Sequence, residues 1–322
     1  MKKYAGSILG GVGMLILILD SKTALEGAAS GLEVCIRTVI PSLFPFILLS
    51  NLMVGQTFPA MRGLAFLGRS FLIPAGAEGL LIPAFLGGYP LGAQCIGTAY
   101  RGNGLTRQQA QRMLAFCSNA GPSFLFGMVG QMFDQTWVPW VLWGILILSA
   151  LMVASIIPAE STPAQDAPIQ KAQKPLIATA VGVMGQICGW VILFRVGITF
   201  LERWCLWLLP EPIQVAVMGV LELSNGCLAL GKIQSIPLRL ILCAGMLSFG
   251  GLCVGFQTAS VVGDLSMGYY WLGKGLQTIF SLLLAGTMMG HAWAGGILLV
   301  LYFGLLMGYG RKNSSIPAIH GV

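Results

Sequence analysis

The sequence predicts an all-α polytopic membrane protein, with about eight transmembrane helices plus two re-entrant helical hairpins in inverted repeats. Three observations point there. Of 322 residues, 56% are hydrophobic and only 9% are charged, whereas a soluble domain carries roughly 25% charged residues. The apolar runs are long and punctuated by glycine, unlike the short alternating segments of about ten residues in a membrane barrel. Finally, the apolar stretch around Phe85–Leu91, FLGGYPL, contains two glycines and a proline, with flanking charge only at Glu78 and Arg101. In lipid every backbone N–H and C=O must be satisfied internally, so broken backbone survives only under protein or beside a wet cavity.

Along the chain, Lys2 and Lys3 followed by Ala5–Leu19 have the outline of a signal peptide. Without a small-x-small cleavage site before Asp20, the run reads as a retained first helix, Tyr4–Leu19. Further spans are expected at Val34–Val54, Met113–Phe133, Val138–Ile157, Pro175–Phe200, Arg239–Val262, Gly275–Gly290 and Trp293–Tyr309, each near the ~20 residues a crossing needs. Residues 275–309 are too long for one crossing at about 1.5 Å per residue, so a turn is expected at Gly290-His291. Two apolar stretches fit poorly as crossings. Ala75–Ile96 is broken by Pro83, Gly87, Gly88, Pro90 and Gly92; Ile213–Leu230 is broken by Gly219, Asn225 and Gly226. Both read as helix in, irregular tip, helix out. The division is then a first half, 1–157, with its hairpin at 75–97; a Pro/Ala/Gln-rich cytoplasmic linker, 158–174; a second half, 175–312, with its hairpin at 213–231; and a polar tail, 313–322.

Charge placement supports that count. The net charge is +7, but no basic cluster carries aromatic neighbours, so nucleic acid is not an expected partner. With both termini cytoplasmic, Lys2, Lys3, Arg62, Arg69, Arg101, Arg107, Arg112, Lys171, Lys174, Lys274, Arg311 and Lys312 would face the cytoplasm, and Lys22, Arg37, Arg203, Lys232 and Arg239 the outer side. Glu33 and Arg37, one turn apart, would pair. Arg195 would snorkel to the outer interface. Thr106 with Gln109 forms a capping-box pattern that starts a helix at Arg107. Eight cysteines and two histidines offer no CxxC and no zinc spacing, so no metal or cofactor is expected, and the cysteines read as small buried apolar residues. A coupling proton or sodium ion stays open.

Four polar or broken clusters fall at membrane depth: Gly87–Ala93; Cys117–Ser123, CSNAGPS; Glu222–Gly226, ELSNG; and Ser248–Ser260, SFGGLCVGFQTAS. Interrupted helices expose free N–H groups at one end and free C=O groups at the other. With Tyr89, Ser118, Asn119, Ser224, Asn225 and Gln257 as uncharged donors and acceptors, they suit a small planar polar solute; small residues also simply permit close helix packing. Glu222 either binds a coupling cation or solute or caps its own hairpin. No GxSxG, HExxH or paired membrane aspartates support an enzyme.

At these residues the chain resembles the sporulation integral membrane protein family of the YlbJ type, which carries the nucleoside-recognition or Gate domain and is remotely similar to concentrative nucleoside transporters. GGYPLGA, NGLTRQQAQRMLAFCSNAGPSFLFGMVG, LELSNG and SFGGLCVGFQTAS carry the resemblance, over about Glu33 to Leu284. It implies a transporter-like fold in the bacterial cytoplasmic membrane, or the outer forespore membrane of a spore former, moving dipicolinate. It implies solute-facing positions at Gly88, Tyr89, Pro90, Gly92, Ser118, Asn119, Gly121 and Pro122. In the second half these are Glu222, Ser224, Asn225, Gly226, Gly250, Gly251, Gln257 and Thr258. The chain departs from nucleoside carriers in having no carboxylate at the first tip, which is compatible with an anionic solute. The expectation is a carrier of a small polar, anionic solute working by alternating access, with lipid and solute as partners. A nucleoside carrier or a non-transporting scaffold of the spore envelope is the alternative; self-association into a homo-oligomer stays open.

Overall fold

A computed structural model describes residues 2–53, 71–74, 77–159 and 176–314. The linker expected at 158–174 falls almost wholly outside these residues, as do the tail beyond 314 and the first residues of the first hairpin. The described chain is helical, with no strand among these residues. Fifteen α-helices occur there: α1 (Lys2–Leu19), α2 (Ser21–Val34), α3 (Ile40–Met53), α4 (Leu81–Leu86), α5 (Leu91–Arg101), α6 (Arg107–Leu114), α7 (Pro122–Gly127), α8 (Val138–Ile156), α9 (Leu176–Trp204), α10 (Glu211–Leu221), α11 (Leu223–Ala229), α12 (Ile236–Phe249), α13 (Gly251–Val262), α14 (Gly268–Met288) and α15 (Ala292–Ser314). Among the described residues, four stretches are long and apolar enough to cross a membrane: Ser21–Leu49, Val138–Ile156, Ile177–Trp204 and Ile236–Val262. The protein is a helical membrane protein.

Several boundaries differ from the sequence expectation, each for a physical reason. The span expected at Val34–Val54 begins thirteen residues earlier, at Ser21, because a π-helical segment, Cys35–Val39, joins α2 to α3 without a break. Small residues drive that extension: Gly27 and Gly31 press against the backbone of Val196 and Ile192 in α9, a close approach that a larger side chain would block. Arg195 bonds to Glu202 at 3.3 Å and to Ser30 Oγ at 3.1 Å, tying α2 to α9. The Glu33–Arg37 pair is present at 3.3 Å. Met113–Phe133 is not one helix but α6, an irregular turn and α7, with Pro122 at the first position of α7, where its missing N–H costs nothing.

Other expectations hold. The capping box at Thr106 is complete, with its hydroxyl accepting from the Gln109 N–H and the Gln109 side chain accepting from the Thr106 N–H. The turn between α14 and α15 falls at Gly290 and His291. Most described cysteines are buried, though Cys205 is exposed. Two cations expected in solvent are instead buried, Arg112 and Lys274. Arg112 donates to the carbonyls of Phe71, Leu72, Ala154 and Ile157.

The elements that matter for a site come in the order hairpin, broken helix, hairpin, broken helix: α4–α5, α6–α7, α10–α11, α12–α13. They are interleaved. Helix α13 packs on α5 and on α10, while α14 packs on α6, α8 and α12.

Candidate functional site

The two tips are built differently. In the first, α4 ends at Gly87 and the chain turns through Gly88, Tyr89 and Pro90, with a cis Tyr89–Pro90 peptide, into α5. Gly88 takes a left-handed φ of 80° and lies against Gly121, the break between α6 and α7. A Cβ on Gly121 would stand 2.8 Å from the Gly88 nitrogen, so the two breaks meet backbone on backbone. Gly92 presses against the Cys117 carbonyl in the same contact. In the second tip, Glu222 separates α10 from α11 and caps α11. It accepts from the Ser224 N–H at 3.0 Å, the Asn225 N–H at 2.7 Å and the Asn225 side-chain amide at 2.6 Å. Gly226 packs on Gly219, holding the two arms of this hairpin together.

A pair of left-handed glycines joins the tips. Gly250 and Gly251, φ 81° and 83°, break α12 from α13. A Cβ on Gly250 would lie 3.0 Å from the Tyr89 ring, and one on Gly251 would lie 3.0 Å from the Gly219 carbonyl. One break therefore touches both hairpins, and glycine is the residue that adopts this backbone without strain.

A cavity of about 40 Å³ sits at the junction. Tyr89, Gly121, Glu222, Ser224 and Gln257 line it, together with Ala120, Phe124, Leu223 and Val254; Val39, Leu43, Ile187 and Val191 of the long helices close its other side. That volume holds a few waters at most, at roughly 10–15 Å³ each. Five expected site residues thus converge on one space. Gly88, Pro90, Gly92, Pro122, Asn225, Gly226, Gly250 and Gly251 shape its walls without lining it. Thr258 is buried in α13 and also stands outside the lining.

Ser118 and Asn119 face the other way, into a buried polar hub that sequence reasoning missed. Its centre is Lys274, fully buried on α14. The ammonium donates to the Tyr89 hydroxyl at 3.0 Å, to Gln277 Oε1 at 2.8 Å and to the Ser118 carbonyl, and stands 5.0 Å over the Tyr89 ring. Tyr89 in turn donates to the Leu247 carbonyl at 3.0 Å. Gln277 Nε2 donates to Asn119 Oδ1 at 2.8 Å, and Asn119 Nδ2 to the Phe116 carbonyl at 2.8 Å. A run of hydroxyls from Ser248 through Ser281 to Ser149 continues the polar path across α12, α14 and α8. The sequence places Lys274 at the cytoplasmic face because the expected span, Gly275–Gly290, begins one residue after it. The available signal was a lysine and a glutamine three residues apart, on one face of an otherwise apolar helix.

Comparison with known proteins adds one relative. The chain is 29% identical over 122 residues to the "Sporulation integral membrane protein YlbJ" of Bacillus subtilis (strain 168), a match covering 37% of this chain and 30% of that protein. The aligned part is therefore about a third of the relative's length. No family model matches the chain. No solved structure matches it.

Proposed function

We propose that the protein is a transporter-like membrane protein, not an enzyme, that binds a small polar solute between two re-entrant hairpin tips and moves it by alternating access. The observation carrying this reading is the cavity itself. Tyr89 from one tip, Glu222 and Ser224 from the other, and Gly121 and Gln257 from the two broken helices face a single space. Discontinuous helices meeting at a common point are how secondary carriers present free backbone dipoles to a solute. Glycine pairs at the junction supply contacts that can part without breaking side-chain bonds. In a spore former, the similarity to a sporulation membrane protein makes dipicolinate the first solute to try, with the outer forespore membrane as the location. A nucleoside is the second.

Gln257 is the residue that tests the reading. It lines the cavity, and its recorded side-chain bond is only to Cys253 Sγ at 3.3 Å. Asn119 and Asn225 are poorer choices because both hold backbone or other side chains in place. Gln257→Leu should lower uptake into proteoliposomes at least about tenfold, the scale of one lost hydrogen bond of roughly 1.4 kcal/mol, while leaving the melting temperature within a few degrees. Wild-type uptake from Gln257→Leu would remove the cavity from the pathway.

A scaffold reading has one observation in its favour: the cavity is small, about 40 Å³, and Glu222 is fully engaged in capping. A binder is stabilised by its ligand through mass action and a scaffold is not, so a thermal-shift series with dipicolinate and nucleosides separates the two.

A further inference from the structure

Lys274 is buried, yet its hydrogen-bond partners, Tyr89, Ser118 and Gln277, are all neutral. Among the described residues it pairs with no carboxylate; the four ion pairs there are Lys22–Glu26, Glu33–Arg37, Arg195–Glu202 and Asp20–Arg203. Dipoles alone compensate a buried charge poorly, and an anion compensates it best. The other buried cation shows the contrast. Arg112 spreads its planar fork over four carbonyls in two separate segments, a stapling task that a guanidinium suits. Lys274 is a compact point charge, placed one ring away from the cavity. Tyr89 holds the ammonium at its hydroxyl, 5.0 Å from the ring centroid, and lines the cavity as well. Ala120 and Gly121, directly following the hub residues Ser118 and Asn119, line the same space.

Building on the proposed carrier function, we propose that Lys274 selects the charge of the solute. It supplies the countercharge for a carboxylate entering between the hairpin tips, with the Tyr89 ring as the cover that must shift to admit it. The small cavity of about 40 Å³ is then the unloaded state, in which Tyr89 and Gln277 hold the ammonium in reserve. Loading exchanges the neutral Tyr89 hydroxyl for an anionic carboxylate oxygen at Nζ, so that donor and acceptor are both charged and the bond is stronger than the one it replaces.

The test compares two planar probes of one shape, pyridine-2,6-dicarboxylate and the uncharged pyridine-2,6-dicarboxamide, by calorimetry on the purified full chain. Wild type should prefer the dicarboxylate by at least about tenfold, because the ammonium gains a charged acceptor in place of a neutral carbonyl. Lys274→Gln should bring the two affinities within about threefold of each other, chiefly by weakening the acid. Equal affinities in wild type, or a Lys274→Gln protein that loses both probes alike, would overturn the assignment while leaving the carrier reading standing. The wild-type comparison decides even if Lys274→Gln does not fold. If wild type binds neither probe nor any nucleoside and takes none up, the carrier reading itself fails, and the charge assignment with it.

Discussion

The two hairpin tips solve one problem in opposite ways. Each must satisfy backbone and side-chain polar groups where the helix is interrupted. The second does so within three residues: Glu222 caps Ser224 and Asn225, and the hairpin carries its own solution. The first imports its solution. Tyr89 is bonded by Lys274, 185 residues further along the chain, and Asn119 by Gln277, 158 residues further along. The second tip is therefore self-sufficient, while the first is complete only after α14 has docked. A tip that depends on a distant helix can be released by moving that helix; a self-capped tip moves as a rigid piece.

The sharpest way to break the first region is at its backbone contact. Gly121→Val would drive a side chain into the Gly88 nitrogen and Cα, and backbone cannot step aside as a flexible side chain can. Overpacking of this kind at a junction of two breaks should cost about 3 kcal/mol or more. The expected result is loss of the folded, monodisperse protein in detergent. A folded Gly121→Val protein would mean that the two breaks are not held together as described.

Breaking the second tip should cost less. Glu222→Ala leaves two buried N–H groups and one side-chain amide without their acceptor, roughly 2–3 kcal/mol on the scale of hydrogen bonds to charged groups. Glu222→Gln keeps one carbonyl oxygen to accept and should lose about half as much. Because the interaction is local, a cycle with Asn225→Ala should show coupling of about 1 kcal/mol. A cycle with Lys274→Gln should show none within error. Chemical unfolding in micelles reads both, and equal coupling to Asn225 and Lys274 would erase the distinction between a self-capped and an imported tip.

That distinction also explains what the sequence made legible. Local signals were readable: the breaks at Gly87–Pro90, Gly121-Pro122 and Gly250-Gly251, the capping box at Thr106, the turn at Gly290, and Glu222 as either ligand or cap. These are set by residues within four positions of one another. The break expected at Asn225-Gly226 falls instead at Glu222, with both residues inside α11. The hub was not readable, since Tyr89, Ser118, Asn119, Lys274 and Gln277 come from three separate segments and only packing brings them together. Charge-based topology misled in the same way. A lysine at the edge of an apolar run looks like an interfacial anchor, and the one local sign that it turns inward is Gln277 on the same helix face. The extension of the first long span back to Ser21 was missed because Glu26 and Glu33 lower the apolar score of a helix whose packing is carried by Gly27 and Gly31.

The smallest effect sharpens the comparison from the other side. Thr106 closes α6 with a reciprocal pair of hydrogen bonds to Gln109, a device made wholly from four adjacent residues. Thr106→Ala should cost about 1 kcal/mol, the usual value of a lost N-cap. Helix α6 leads directly into Phe116–Asn119 and so positions the imported half of the first tip, whereas Glu222 lies outside it. If local devices stay local, Thr106→Ala will lower stability without changing the preference between the charged and uncharged probes. If the first tip instead depends on the register of α6, the same substitution will also narrow that preference, while Glu222→Gln, which removes a carboxylate from the cavity wall, will widen it. Calorimetry on the two single variants distinguishes these outcomes, and a narrowed preference in both would mean that the tips are coupled as one unit.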